Sequence, residues 1–119
     1  MLADLRKLLA RPDTRVVQRK LAICGHSTWE AAEPSERGPA VRNITIYLDP
    51  RRDGRVRLVI HELLHIRMQY LLGLTDRLTY ELEEAAVLAW EEKLYLWLAV
   101  PQRAAALESW SKAIERKTR

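Results

Sequence analysis

The sequence predicts a small α+β domain, and three observations carry that expectation. "NITIYLDP", residues 43–50, alternates apolar and polar side chains with a period of two. From Arg55 to about Leu72 the period becomes that of a helix, and two further helical stretches follow it. A few strands in the N-terminal half, forming a short antiparallel or mixed sheet, should therefore precede three helices. At 119 residues the chain can bury one core and not two, so residues 1–119 are expected to form a single domain.

Leu2, Leu5, Leu8 and Leu9 recur at helical spacing before Pro12, which predicts a short amphipathic helix over residues 2–10. Residues 14–29 fit two templates: Val17, Leu21 and Cys24 share a helical face, while "KLAIC" also suits a strand. "EAAEPSERGPA", residues 30–40, holds Pro34, Gly38 and Pro39 among polar residues and reads as a loop. In the strand that follows, Ile44, Ile46 and Leu48 share one face and Asn43, Thr45 and Tyr47 the other. Residues 50–54 make a turn, Gly73 stops the helix begun at Arg55, and Thr75 or Asp76 caps the next, from about Arg77 to Leu98. Its apolar residues, among them Leu82, Leu88, Trp90, Leu94 and Trp97, point all round, so it should pack on more than one face. Trp110 joins these aromatic residues as expected core or helix-packing surface. Pro101 opens a last helix ending in the charged "ERKTR".

A single cysteine, Cys24, excludes an internal disulfide, and no stretch approaches the ~20 apolar residues of a membrane span. Without an apolar leader, the expected setting is the cytoplasm. The formal charge of +4 and the arginines at 51, 52, 55 and 57 lend weak support to a nucleic acid or other acidic partner, with a solvated turn the simpler reading.

Chemistry concentrates in "VIHELLHIRM", residues 59–68. His61 and His65 lie one helical turn apart on one face and can offer two imidazole nitrogens to one ion. Zinc accepts that pair, and Glu62 beside the first ligand can act as general base toward a water. Burying two imidazoles and a carboxylate among Val59, Ile60, Leu63 and Leu64 would cost several kcal/mol without partners. One zinc ion per chain is the expected cofactor.

An H-E-x-x-H helix preceded by "NITIYL" resembles the zincin metallopeptidases. The resemblance covers residues 43 to about 98 and implies a small zincin-like domain that hydrolyses peptide bonds. It also implies that Asn43, Ile44, Thr45, Ile46 and Tyr47 form an edge strand on which an extended peptide lies. Position 67, usually apolar in that clan, is Arg67 here, and should reach solvent or a carboxylate. Met68 and Leu71 stand where metzincins need glycine and histidine, and no histidine follows His65 as SprT-like proteases require. Asp76 in "GLTDRLTY" matches the aspzincin pattern only in part.

The gluzincin pattern remains, with a glutamate on the next helix. Reflection of an antiparallel hairpin about residues 74 and 75 sets His65 level with Glu84. "EEAAV" also looks like the "NEGFA" of aminopeptidase-type gluzincins. Helical phase favours Glu83 or Glu81 instead, so all three stay open beside Asp76. His26, Tyr80 and Tyr95 are candidates to stabilise an oxyanion, and Cys24 with His26 forms a C-x-H pair without an assigned role. The reading is a minimal gluzincin-like zinc peptidase acting on a peptide or protein. Its rivals are a mobile-element regulator that cleaves or senses one partner, and a non-catalytic zinc-stabilised binding module. Cleavage preference and oligomeric state are not legible in the sequence.

Overall fold

A computed structural model of the chain describes residues 1–22, 25–35, 38–71 and 79–118. In chain order these form α1 (Leu2–Ala10), β1 (Arg15–Gln18), β2 (Gly25–Ser35), β3 (Gly38–Leu48), α2 (Arg55–Ile66), α3 (Tyr80–Ala99) and α4 (Ala104–Lys117). A π-helical turn, Arg67–Leu71, extends α2, and a 3-10 turn, Pro101–Arg103, precedes α4. The α+β class holds, with a three-stranded mixed sheet and four α-helices among the described residues.

The strands lie in the order β1-β3-β2, with β1 parallel and β2 antiparallel to β3. Residues 30–40, expected as a loop, are largely paired: Ala31 faces Val41, Ala32 faces Ala40 and Ser35 faces Gly38. Pro34 and Pro39 sit close to the hairpin tip, where a missing N–H interrupts little of the ladder. The ambiguity over residues 14–29 resolves as strand, since β1 and the start of β2 both fall within it.

This arrangement corrects the expected substrate strand. Asn43, Ile44, Thr45, Ile46 and Tyr47 belong to the middle strand, so β1 and β2 occupy its two sides. Ile44 and Ile46 are fully buried, and the Asn43 N–H donates to Asp13 Oδ2 at 2.9 Å. Asn43 has φ 52° where the register shifts, with Thr28 opposite Thr45 but Glu30 opposite Arg42. That extra residue on β3 is a bulge, and it twists the paired strand locally. Among the described residues, no strand pairs with the outer edge of β2, which packs beside α2.

Asp49 closes β3 by accepting from the N–H groups of Leu21 and Arg51, each at 3.0 Å, and from the Arg51 guanidinium. Gly54 then turns the chain into α2 with φ 76°, a conformation that strains any residue with a Cβ. Val59, Ile60, Leu63 and Leu64 of α2 are buried with Ile44, Ile46 and Leu48 of β3, Leu5 and Leu9 of α1, and Ile114 of α4 in one core. Enclosure on those sides leaves α2 one open face, the one bearing His61 and His65. Arg67 reaches the Asp4 carboxylate of α1 at 3.2 Å.

The α-helical part of the 55–72 helix ends at Ile66, earlier than expected, and the π turn completes it. Gly73, Thr75 and Asp76 lie outside the described residues. Helix α3 begins at Tyr80 and is capped by Thr79, whose hydroxyl accepts from the Leu82 N–H at 3.3 Å; the start expected at about Arg77 lies outside the described residues. Helix α3 packs against two helices, α2 and α4. Leu82, Leu88, Trp90, Leu96 and Trp97 are exposed, because α2 and α4 cover only part of its circumference. Arg103 stacks 3.9 Å over Trp97 and Lys93 5.4 Å over Trp90, while Trp110 is buried as expected. No described helix is long and apolar enough to cross a membrane.

Candidate metal centre

Helices α2 and α3 run antiparallel, as the pairs Arg57 with Glu91 and Gln69 with Glu83 require. Between them and the start of β2 lies a cavity of about 520 Å³. Leu58, His61, Glu62, His65 and Gln69 contribute from the α2 side, and Tyr80, Glu84, Leu88 and Glu91 from α3. Gly25, His26, Ser27 and Trp29 of β2 close the third wall.

His61 and His65 converge as their spacing predicts, with their Nε2 atoms 3.2 Å apart. Glu84 completes a triangle: its Oε1 stands 3.1 Å from His61 Nε2 and its Oε2 2.9 Å from His65 Nε2. A tetrahedral ion with bonds of ~2.05 Å has donor atoms about 3.3 Å apart, so the three side chains outline one slightly contracted face of such a polyhedron. Of the contested glutamates, Glu84 is the one inside this triangle. Glu83 approaches His65 from the other side of its ring, 3.3 Å from Nδ1, and Glu81 is exposed.

The outer nitrogens settle which atoms face inward. His61 Nδ1 lies 3.3 Å from Glu91 Oε1, and His65 Nδ1 lies 3.3 Å from Glu83 Oε1. Each ring therefore meets a carboxylate at both nitrogens, Glu91 or Glu83 on the outer Nδ1 and Glu84 on the inner Nε2. Two imidazoles and a carboxylate thus converge on one point. Glu62, Glu83 and Glu91 are buried as well, and among the described residues only Arg57 offers them a permanent positive partner. A divalent cation at that point would offset the negative charge gathered there. The donor set, two imidazoles and one carboxylate, is one that zinc accepts with a position left open.

Glu62 lines the same cavity outside the triangle. Its Oε1 accepts from the Ser27 hydroxyl at 2.8 Å, and Gly25 of β2 passes beside Oε2, where a Cβ would stand in ordinary contact at 3.4 Å. Ser27, Gln69 and Glu91 were not anticipated from the sequence. Glu91 had a readable signal, lying two turns beyond Glu84 on the same face of α3. Ser27 had none, because its role depends on where β2 crosses α2.

Of the proposed oxyanion partners, His26 and Tyr80 line the cavity, whereas Tyr95 packs beneath the Arg57 guanidinium at 5.4 Å. His26 stacks on Tyr47 with ring centroids 5.9 Å apart. Cys24 and Asp76 lie outside the described residues. The arginine cluster before α2 is largely engaged within the chain. Arg51 is bound to Asp49, Arg57 to Glu91, and Arg55 donates to Thr118 Oγ1 at 3.4 Å. Comparison with protein families, curated proteins and solved structures finds no match, so the functional reading rests on the site itself.

Proposed function

We propose that the chain is a zinc-dependent peptidase of gluzincin type, with His61, His65 and Glu84 as the metal ligands and Glu62 as the general base. The observation that carries this reading is the triangle of inward-facing donor atoms with a separate, hydrogen-bonded carboxylate in the same cavity. A bound zinc ion supplies Lewis acidity for a carbonyl oxygen and makes a water more acidic. Glu62 takes a proton from the water that attacks the peptide carbonyl, and returns it to the amine nitrogen as the C–N bond breaks. The Ser27 hydroxyl holds one oxygen of Glu62, which leaves the other to handle the proton.

An extended peptide adds as a strand to the free edge of β2 near residues 25–29, in place of the buried strand 43–47. Such main-chain pairing confers little side-chain preference, so peptides and unfolded proteins are the substrate class, and the cytoplasm is the setting we assign. A purely structural zinc site has no use for a buried Glu62 held by Ser27, which favours an enzyme over a metal-stabilised module.

Elemental analysis together with hydrolysis of an unstructured protein, with and without chelator, tests the proposal. Glu62→Gln should retain about one zinc per chain and lose hydrolysis, because that residue is a base and not a ligand. Loss of metal in that variant would reject the assignment.

A further inference from the structure

Beyond the ligands and the base, the cavity is backed by a carboxylate that none of those roles requires. Glu91 is 6% exposed, stands on the inner face of α3, and meets a different side chain with each of its two oxygens. Oε1 lies 3.3 Å from His61 Nδ1 and Oε2 lies 3.3 Å from Arg57 Nε. Arg57 sits one turn before His61 on α2, and its guanidinium lies 5.4 Å over the Tyr95 ring. The chain thus sets a row across the two helices: Tyr95 beneath Arg57, Arg57 on Glu91, Glu91 on His61.

We propose that Glu91, pinned by Arg57, is a positioning residue that locks His61 as the Nδ1–H tautomer with Nε2 turned into the donor triangle; this inference rests on the zinc reading above. Three physical points lead there. A carboxylate buried behind a half-exposed arginine is poor value for stability alone, since an apolar residue of similar volume would serve the fold as well or better. A ring rotated by half a turn would place a carbon where Nε2 now faces Glu84, and the Glu91 acceptor disfavours that rotation by binding Nδ1–H. A carboxylate on the outer nitrogen also raises the basicity of the inner one, which strengthens a metal bond. Arg57 keeps Glu91 from swinging into the cavity, where it would compete with Glu84 for the same cation. The second histidine is served differently, because Glu83 is steadied by the neutral Gln69 amide at 2.9 Å.

The test compares the full-length parent with Glu91→Leu, Glu91→Gln and Glu84→Gln. Zinc affinity is measured by competition with a chromogenic chelator, and the histidine tautomers by long-range nitrogen–proton NMR of the zinc-free and zinc-loaded proteins. Glu91→Leu should weaken zinc binding about 10–100-fold and release His61 into a mixture of ring states. Glu91→Gln, which keeps an acceptor oxygen without its charge, should fall between Glu91→Leu and the parent. Thermal unfolding of zinc-free Glu91→Leu should match or exceed that of the parent, as a merely structural role would not allow. Should Glu91→Leu fail to fold, the isosteric Glu91→Gln carries the same comparison. Zinc affinity within twofold of the parent, or an unchanged His61 tautomer, overturns the inference when Glu84→Gln still loses zinc. If Glu84→Gln also binds zinc like the parent, the zinc reading itself falls and takes this inference with it.

Discussion

Ser27 donates its hydroxyl hydrogen to Glu62 Oε1 at 2.8 Å, joining the edge strand of the sheet to the helix that bears both histidines. The bond is partly buried and its acceptor is the carboxylate assigned as base. Ser27→Ala should therefore slow hydrolysis and leave zinc content unchanged. One hydrogen bond to a charged group, about 1–2 kcal/mol, corresponds to roughly 5–30-fold in turnover. Steady-state kinetics with parallel metal analysis checks this, and an unaltered rate would remove Ser27 from the site.

The three glutamates at the start of α3 should separate by zinc affinity. Glu84→Gln removes a donor from the triangle, so its loss should exceed that of any other single change on α3. Glu83 meets His65 at the outer nitrogen and not at the inner one, so Glu83→Gln should cost about 10–100-fold. Glu81→Gln is exposed and should match the parent. Chelator competition on all three ranks them, and a larger loss at Glu83 than at Glu84 would reverse the ligand assignment.

Placing substrate on β2 makes a paired prediction. Along a strand, successive N–H groups point to opposite sides, so of Ser27 and Thr28 one faces β3 and the other the free edge. Proline at the edge-facing position should impair peptide cleavage with little change in melting temperature. At the other position it removes a ladder bond and should lower the melting temperature. Equal behaviour of the two variants in both assays would reject the docking edge.

Acid should reveal the Asp49 turn. The Arg51 side chain, followed by the backbone N–H groups of Leu21 and Arg51, holds the Asp49 carboxyl well below the usual carboxylate range despite its burial. Its unfolded-state value is near ~3.9, so the folded state binds fewer protons there than the unfolded chain does. The stabilisation is complete well above that value and is lost as pH falls through and below it toward the depressed folded value. Asp49→Asn should flatten the decline in stability below about pH 4, and urea titrations between about pH 6 and pH 3 measure the slope.

Sequence periodicity by itself determined α1, α2 and α4, because each buries apolar residues at helical spacing and that spacing is local. It also determined that His61 and His65 share a face, since four residues of helix leave no other arrangement. The reflection that set Glu84 level with His65 depended only on two rises of equal length, and the structure brings those residues to 2.9 Å. Strand order was a different matter. Ile44 and Ile46 alternate identically in an edge strand and in a middle one, and only the pairing of β3 with both β1 and β2 decided between them. Pro34, Gly38 and Pro39 marked a turn correctly but not its extent, because ladder bonds to a distant segment override local turn preference on either side. The roles of Ser27 and Glu91 likewise belong to tertiary structure. A hydroxyl or a carboxylate acquires its partner only when two elements far apart in the chain are pressed together, here β2 and α3 against the one face of α2 that the core leaves open.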